Sequence, residues 1–535
     1  MNSSSPVLNK ASLSFGQASA GTPTGAAAWI ASNAVVLTFA LVFAAAAAVR
    51  VVNLGHDSLA HDECWRANWA HHGGLDEMRW FPPGQLAVYA VIQHVLPRTE
   101  FWIRLPDALM GILAVVLVFA VLRTRIGDWA ALGAAAFVAF HSQTVFYSRV
   151  LKEFSYETVL TLLLVGVGAR VVANFSRRGV AVFFGMATLG LIFGYIPILV
   201  ATAWGPLVLW SAWRDRANRR RNLALVGWLS AGFVPLVAIW YAWLSGCSAR
   251  VSVIYHYYEC PDFAWWSARG AGSLLSWAGA QSWGVLRFVA GVSSLQGRSA
   301  IVLLACASLV AIVGAVQLWR RWPDFLKFVV ILIPLAMIMG LTRNWPYGEY
   351  HMSLYLVPLF AVFFGAGLFG LRHLPIGRLL LVPPIIICLL FPASRAGEQS
   401  LLRPVEGEHL RPVFAAIKEC YQPGDAVFVY YAAADATEFY WPDSPPGLLV
   451  QPRTDRGQFE QFQRRFDGLA ATHRRVWLVF AHRFGDERET WVGYARSRYR
   501  PVHRFGSAET FTYCLDTQSA AESHASRASD SANGG

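Results

Sequence analysis

The sequence predicts an all-α polytopic membrane domain followed by a small α/β domain, on three observations. Of 535 residues, 55% are hydrophobic and only 15% charged. The apolar residues gather in continuous runs of about 17 to 25, the length that spans hydrocarbon as a helix. After residue 394 those runs give way to short helix-like and strand-like pieces. The long runs do not alternate with period two, which excludes a β-barrel of the outer-membrane kind.

Residues 1–28 are rich in Ser, Ala, Gly and Thr and carry the single Lys10, so they lack the compact basic region of a secretory signal and are expected to be a disordered tail. The first run ends in "AAAAAVR", which resembles a cleavage site, yet its length suits a retained anchor. Helices are expected at 29–52, 103–122, 129–147, 156–174, 180–195, 197–213, 222–244, 299–319, 325–342, 352–371 and 378–393. That makes about eleven crossings. The stretch 180–213 is too long for one span, and Gly194 and Pro197 supply a turn inside it. Residues 83–97 are too short to cross and are expected to form a helix lying at the outer surface, and 272–292 to belong to a folded outer loop.

The net charge of +12 comes mainly from arginines between the apolar runs: "RTR" at 123–125, "SRR" at 176–178, "RDRANRRR" at 214–221, "RRW" at 320–322 and "RHLPIGR" at 372–378. With the N-terminus inside, all of these face the cytoplasm, so the charge orients the protein in a membrane and does not signal nucleic acid. Four segments then lie outside the cytoplasm: 53–102, 146–155, 245–298 and 343–351. The last helix also exits outward and places residues 395–515 there. In that region "LRPVFAAIKECY", the turn "QPGD", the strand "AVFVYY", a helix through "ADATEFYW" and the strand "RVWLVFAH" describe a small α/β domain. Residues 516–535 are expected to be a disordered tail.

Cys247 and Cys260 share one outer loop, and Cys420 and Cys514 share the outer domain, so each pair is a candidate disulfide in an oxidising compartment. Cys306 and Cys388 lie in apolar spans. His56, His61, His71 and His72 match no standard zinc spacing, and no metal or other cofactor is expected. Trp65, Trp69, Trp80, Trp265 and Trp266 suit an interfacial belt. No P-loop, Gly-x-Gly-x-x-Gly or Asp-x-Asp pattern speaks for a nucleotide or nucleotide sugar.

The first outer segment combines "HDECWRANWA", "WFPPGQLAVYAVIQHVLP" and "FWIRLPDALMGIL". The Asp62-Glu63 pair just after the first helix, Pro82-Pro83 before an apolar segment, and Arg104 to Pro106 resemble membrane glycosyltransferases of the GT-C fold, in particular protein O-mannosyltransferases and the aminoarabinose transferases of lipid A. "YSRVLKEFSYETVLTLLL" and "YGEYHMSLYLVPLFAVFF" are similar to that family's later outer segments. The resemblance covers roughly residues 29–395. It departs from the family where Trp65 precedes Arg66 and where Tyr350-His351 takes the place of an Arg-Tyr.

The resemblance implies a polyprenyl-phosphate-linked sugar as donor and an extracytoplasmic hydroxyl as acceptor, in a bacterial inner membrane. The chemistry agrees. A lipid phosphate leaves as an anion and needs no general acid, so one carboxylate base suffices, in contrast to the two of glycosidases. Asp62 is the candidate base, with Glu63 as a second polar contact or the base itself; partial burial is expected to make it more basic than a carboxylate in water. The alternative for Asp62 is a helix N-cap or a solvated loop. Lys152, Arg149, Arg66, Arg104 and Arg343 are candidates for the departing phosphate, or else snorkelling side chains. Glu153, Glu157, Tyr350 and His351 are candidates for substrate contact, with Glu157 also placed to complement a helix dipole. Two other functions fit the same composition: a transporter or flippase of lipid-linked glycans, although the repeated halves common in transporters are missing, and a non-catalytic subunit of an envelope glycan assembly complex.

Overall fold

The computed structural model describes residues 26–73, 81–245, 271–293, 295–342, 344–348, 351–371, 394, 397–398, 408–445, 448–451, 458–481, 486–506 and 510–518. The helical domain begins with α1 (Ala26–Val51), then α2 (His61–His72), α3 (Pro83–Val95), α4 (Glu100–Ile126), α5 (Asp128–Phe140), α6 (Ser142–Tyr147) and α7 (Phe154–Ala173). It continues with α8 (Arg177–Phe193), α9 (Ile196–Arg214), α10 (Arg219–Ser245), α11 (Ala271–Val289), α12 (Gly297–Arg321), α13 (Pro323–Leu341) and α14 (Leu356–Leu371). Among the described residues, seven helices are long and apolar enough to cross a membrane: α1, α4, α7, α9, α10, α12 and α13; α5 and α14 are shorter apolar helices. This is a multi-pass membrane protein. Its lipid-type surface is plainest on α10, where Trp228, Val234 and Ile239 are exposed. The expected helix 378–393 lies outside the described residues.

Several boundaries have a local cause. α8 and α9 part at the expected place, with Gly194 between them and Pro197 in the first turn of α9, where its missing N–H costs nothing. Gly194 is required by close approach, since an added Cβ would stand 2.5 Å from Glu157 Cγ. The single helix expected over 129–147 is instead two, because His141 is extended and breaks it. The carbonyls freed at the end of α5 are taken up by Arg50, whose guanidinium donates to Ala139 O at 2.8 Å and Val138 O at 3.2 Å. The outer-loop stretch 272–292 is mostly the helix α11, and residues 83–95 are the helix α3.

The main apolar core runs through α4, α5, α7, α9 and α12 to α14, with Trp204 fully buried and stacked on Phe328 at 4.7 Å. Glycines set the tightest helix contacts. A Cβ on Gly314 of α12 would meet Phe363 O at 1.9 Å, and one on Gly367 of α14 would meet Val310 O at 2.0 Å. Small residues let backbones approach where hydrophobic exclusion cannot drive helices together.

The C-terminal domain contains α15 (Leu410–Cys420), β1 (Ala426–Val429), α16 (Ala434–Tyr440), β2 (Leu448–Val450), α17 (Phe459–Thr472), β3 (Arg475–Phe480), α18 (Glu487–Arg498), β4 (Arg500–Gly506) and β5 (Phe511–Asp516). The sheet order is β2-β1-β3-β5-β4, parallel for the first three strands and antiparallel from β3 to β5 and β4. One sheet face shares a core with the helical domain: Leu59, Cys64, Phe81 and Tyr89 join Phe414, Val427, Trp477 and Cys514. The expected Cys420–Cys514 disulfide is absent, and both are free thiols. Cys514 sits opposite Trp477 in the sheet core, and Arg475 donates to the Cys420 carbonyl at 2.8 Å. Burial pushes the Cys514 thiol up to about 11. Cys247 and Cys260 lie outside the described residues.

Candidate active site

The site is built on α2, which buries Cys64, Ala67 and Ala70 in an apolar core and engages Asp62, Glu63 and Arg66 in ion pairs. Its first turn holds Asp62 and Glu63, where negative charge complements the helix dipole. Adjacent helical residues face different directions, and here they meet different fates.

Glu63 turns inward. Its carboxylate accepts from Arg104 Nη2 at 2.6 Å and Nε at 2.9 Å, from the Ala60 N–H at 3.0 Å and from the Leu151 N–H at 3.0 Å. Arg104 also donates to the carbonyls of Leu54, Asp57 and Ser58. The pair is a buried clamp that ties α2 to α4 and to the end of α1. Glu63 as a base and Arg104 as a phosphate ligand are therefore corrected, because both are saturated by protein partners.

Asp62 turns outward. It is the second residue of α2, not its cap; its side chain is half-exposed, and Lys152 Nζ lies 2.6 Å from Oδ2. Lys152 stands between α6 and α7, so the contact joins two segments far apart in the sequence. The ammonium, with help from His61 and Arg66, holds the Asp62 carboxyl well below the usual carboxylate range. This reverses the expected shift: a neighbouring cation outweighs desolvation.

Behind them, Arg66 pairs with Glu153 at 2.6 Å, donates to Gln85 at 3.1 Å and lies 4.1 Å from the Phe81 ring centroid. Gln85 and Tyr89 pass the network to Asp107 of α4, which accepts from the Tyr89 hydroxyl at 2.6 Å. Gln85, Tyr89 and Asp107 were missed in the sequence. The available signal was one carboxylate in an otherwise apolar span, which calls for a partner. His351 packs against Tyr147 and Phe154, with ring centroids at 5.4 and 5.0 Å. Burial and the nearby Lys152 hold it down to about 4. Asp62, Lys152, Arg66, Glu153 and His351 thus converge.

Arg149 and Glu157 do not join them. Arg149 donates to the carbonyls of Val49, Val52 and Asn53 and caps the end of α1. Glu157 accepts from the N–H groups of Tyr195 and Ile196 and caps the start of α9. Their expected roles in phosphate and acceptor binding give way to helix capping. Arg343 and Tyr350 lie outside the described residues. Among the described residues, no three His, Cys, Asp or Glu side chains are grouped as metal ligands.

The C-terminal domain grips the same helix and the residues just before it. Tyr440 OH accepts from the Leu59 N–H at 2.6 Å, Glu408 accepts from the His61 N–H at 2.6 Å, and Asn68 donates to Asp435 O at 2.7 Å. Arg411 adds an ion pair to Glu100 at 2.9 Å. The arrangement offers one accessible carboxylate beside one cation, on a scaffold held from both domains.

No protein-family model matches the sequence, and no curated protein does. Among solved structures, the chain is similar to ArnT from Cupriavidus metallidurans bound to undecaprenyl phosphate, with 12% identity and a TM-score of 0.53 over 92% of this chain and 98% of that one. The apo state of ArnT gives 12% identity and 0.54 over 90% and 98%. An oligosaccharyltransferase from Archaeoglobus fulgidus tethered with an acceptor peptide gives 11% identity and 0.49 over 91% and 74%. With ArnT matched along nearly its whole length, the chain has the GT-C fold of membrane glycosyltransferases.

Proposed function

We propose that the protein is a membrane glycosyltransferase that moves a sugar from a polyprenyl-phosphate donor to an extracytoplasmic hydroxyl on a glycan, lipid or protein. The observation that carries this reading is the 2.6 Å contact between Asp62 and Lys152, with Asp62 half open to solvent. It is supported by the fold shared with a protein whose structure holds undecaprenyl phosphate. In this reading the protein sits in a bacterial inner membrane, and the arginine-rich loops support an orientation with Asp62 and the C-terminal domain outside the cytoplasm.

In this reading the acceptor oxygen attacks the anomeric carbon, the bond from that carbon to the phosphate oxygen breaks, and the lipid phosphate leaves as an anion. Asp62 takes the acceptor proton. Lys152 has two partners to choose between. Without a donor it neutralises Asp62; a docked phosphate draws the ammonium away, so the carboxylate becomes more basic only when the donor is present. Arg66 holds Glu153, the residue next to Lys152, and so positions the cation.

Membranes bearing Asp62→Asn, assayed with labelled lipid-linked sugars, test the assignment. Transfer is expected to fall roughly a hundredfold to ten-thousandfold, the range for loss of a general base. Undiminished transfer ends the role of Asp62, and movement of the lipid-linked sugar across vesicles without glycosyl product replaces the enzyme with a flippase.

A further inference from the structure

The opposite end of the helical domain carries a second feature. A cavity of about 200 Å³ opens between α4 and α7. Leu117, Val121 and Gly166 give it an apolar floor, and Arg125, Arg170 and Trp322 stand at its edge. Gly166 keeps the floor wide, since an added Cβ would lie 3.1 Å from Val121 Cγ2.

The two arginines are unlike their neighbours. Arg123 is 3.3 Å from Asp128, and Lys327 is 2.9 Å from Asp324. Among the described residues, Arg125 and Arg170 form no ion pair and no side-chain hydrogen bond. Arg125 only approaches the Trp322 ring, at 5.7 Å. Asp324 acts on Arg125 from a distance but is already bonded to Lys327. Two cations sharing one edge repel each other, and an anion between them removes that cost.

We propose that this cavity binds an anionic phospholipid of the surrounding leaflet, its phosphate between Arg125 and Arg170 and an acyl chain along the floor. The position selects the occupant. Both arginines lie in the last turns of long apolar helices, where lipid head groups meet water and where tryptophan also collects. A free phosphate would use the cations and leave the apolar floor uncovered; a zwitterionic lipid would fill the floor and bring a positive charge to the arginines.

The full chain in mixed micelles containing phosphatidylglycerol or phosphatidylcholine, examined by native mass spectrometry, tests this. Phosphatidylglycerol is expected to be retained roughly tenfold better or more. The Arg125→Gln/Arg170→Gln protein should lose that preference, and Arg125→Lys/Arg170→Lys should keep it. Gly166→Leu, with both arginines intact, should lower retention of phosphatidylglycerol by narrowing the floor. Equal retention of both lipids, a preference untouched by the Gln pair, or displacement by inorganic phosphate overturns the proposal. Lipid retention is read without any activity assay, so it stands or falls apart from the glycosyltransferase reading.

Discussion

Asp62 and Glu63, neighbours in sequence, face different surroundings on α2: the Asp62 side chain is 50% exposed beside Lys152, whereas that of Glu63 is 3% exposed in the grip of Arg104. One position is open to solvent and the other is consumed by the fold. Substitutions at the two should therefore separate activity from stability.

Glu63→Ala is expected to destabilise the protein by about 3 to 5 kcal/mol, because it strands the buried Arg104 charge. Asp62→Asn should cost less than Glu63→Ala, since Asp62 is half-exposed and solvent screens part of its pairing with Lys152. Thermal or denaturant unfolding of both variants in detergent checks the contrast. Equal destabilisation by the two would contradict their different surroundings.

Acid should weaken the protein through His351. Its pKa is lowered from 6.5 to about 4, so the unfolded chain binds more protons than the native state between those values. The stability it contributes is present above pH 6.5 and is lost as pH falls through about 4. His351→Gln should flatten that part of a plot of unfolding temperature against pH. An unchanged slope would place the acid sensitivity elsewhere.

Gly314→Ala should destabilise by about 1 to 3 kcal/mol, as an inserted methyl forces α12 off α14. Gly232 of α10 has nothing within 4 Å of an added Cβ, so Gly232→Ala should be neutral or stabilising, by up to about 1 kcal/mol through helix propensity. The unfolding temperature should fall for Gly314→Ala and hold or rise for Gly232→Ala. Parallel shifts would contradict glycine-mediated packing.

Arg411 donates to Glu100 and to the carbonyls of Gly55 and His56. Arg411→Ala should loosen the C-terminal domain from the stretch before α2 and increase amide hydrogen exchange over residues 55–61. Exchange limited to the C-terminal domain itself would show that Arg411 does not hold the two domains together.

The helical class, the break at Gly194, the turn from apolar runs to an α/β domain, and Asp62 and Lys152 as separate candidates were all legible in the linear order. Each rests on local signals: run length, a Gly-Pro turn, and charge placed at helix ends. The fates of Glu63, Arg104, Arg149 and Glu157 were not. All four are charged groups near helix ends, and that pattern does not distinguish a ligand from a cap, because both satisfy the same need for a counter-charge or a backbone partner.

Sequence alone determined what must be buried in lipid and which charges must stay at the ends of helices, since hydropathy and backbone satisfaction act within each segment. Only the tertiary structure decided which of those charges neutralise one another. Ion pairing depends on distances between segments as far apart as Asp62 and Lys152 or Arg66 and Glu153, and a buried charge takes whichever partner the packing brings within reach.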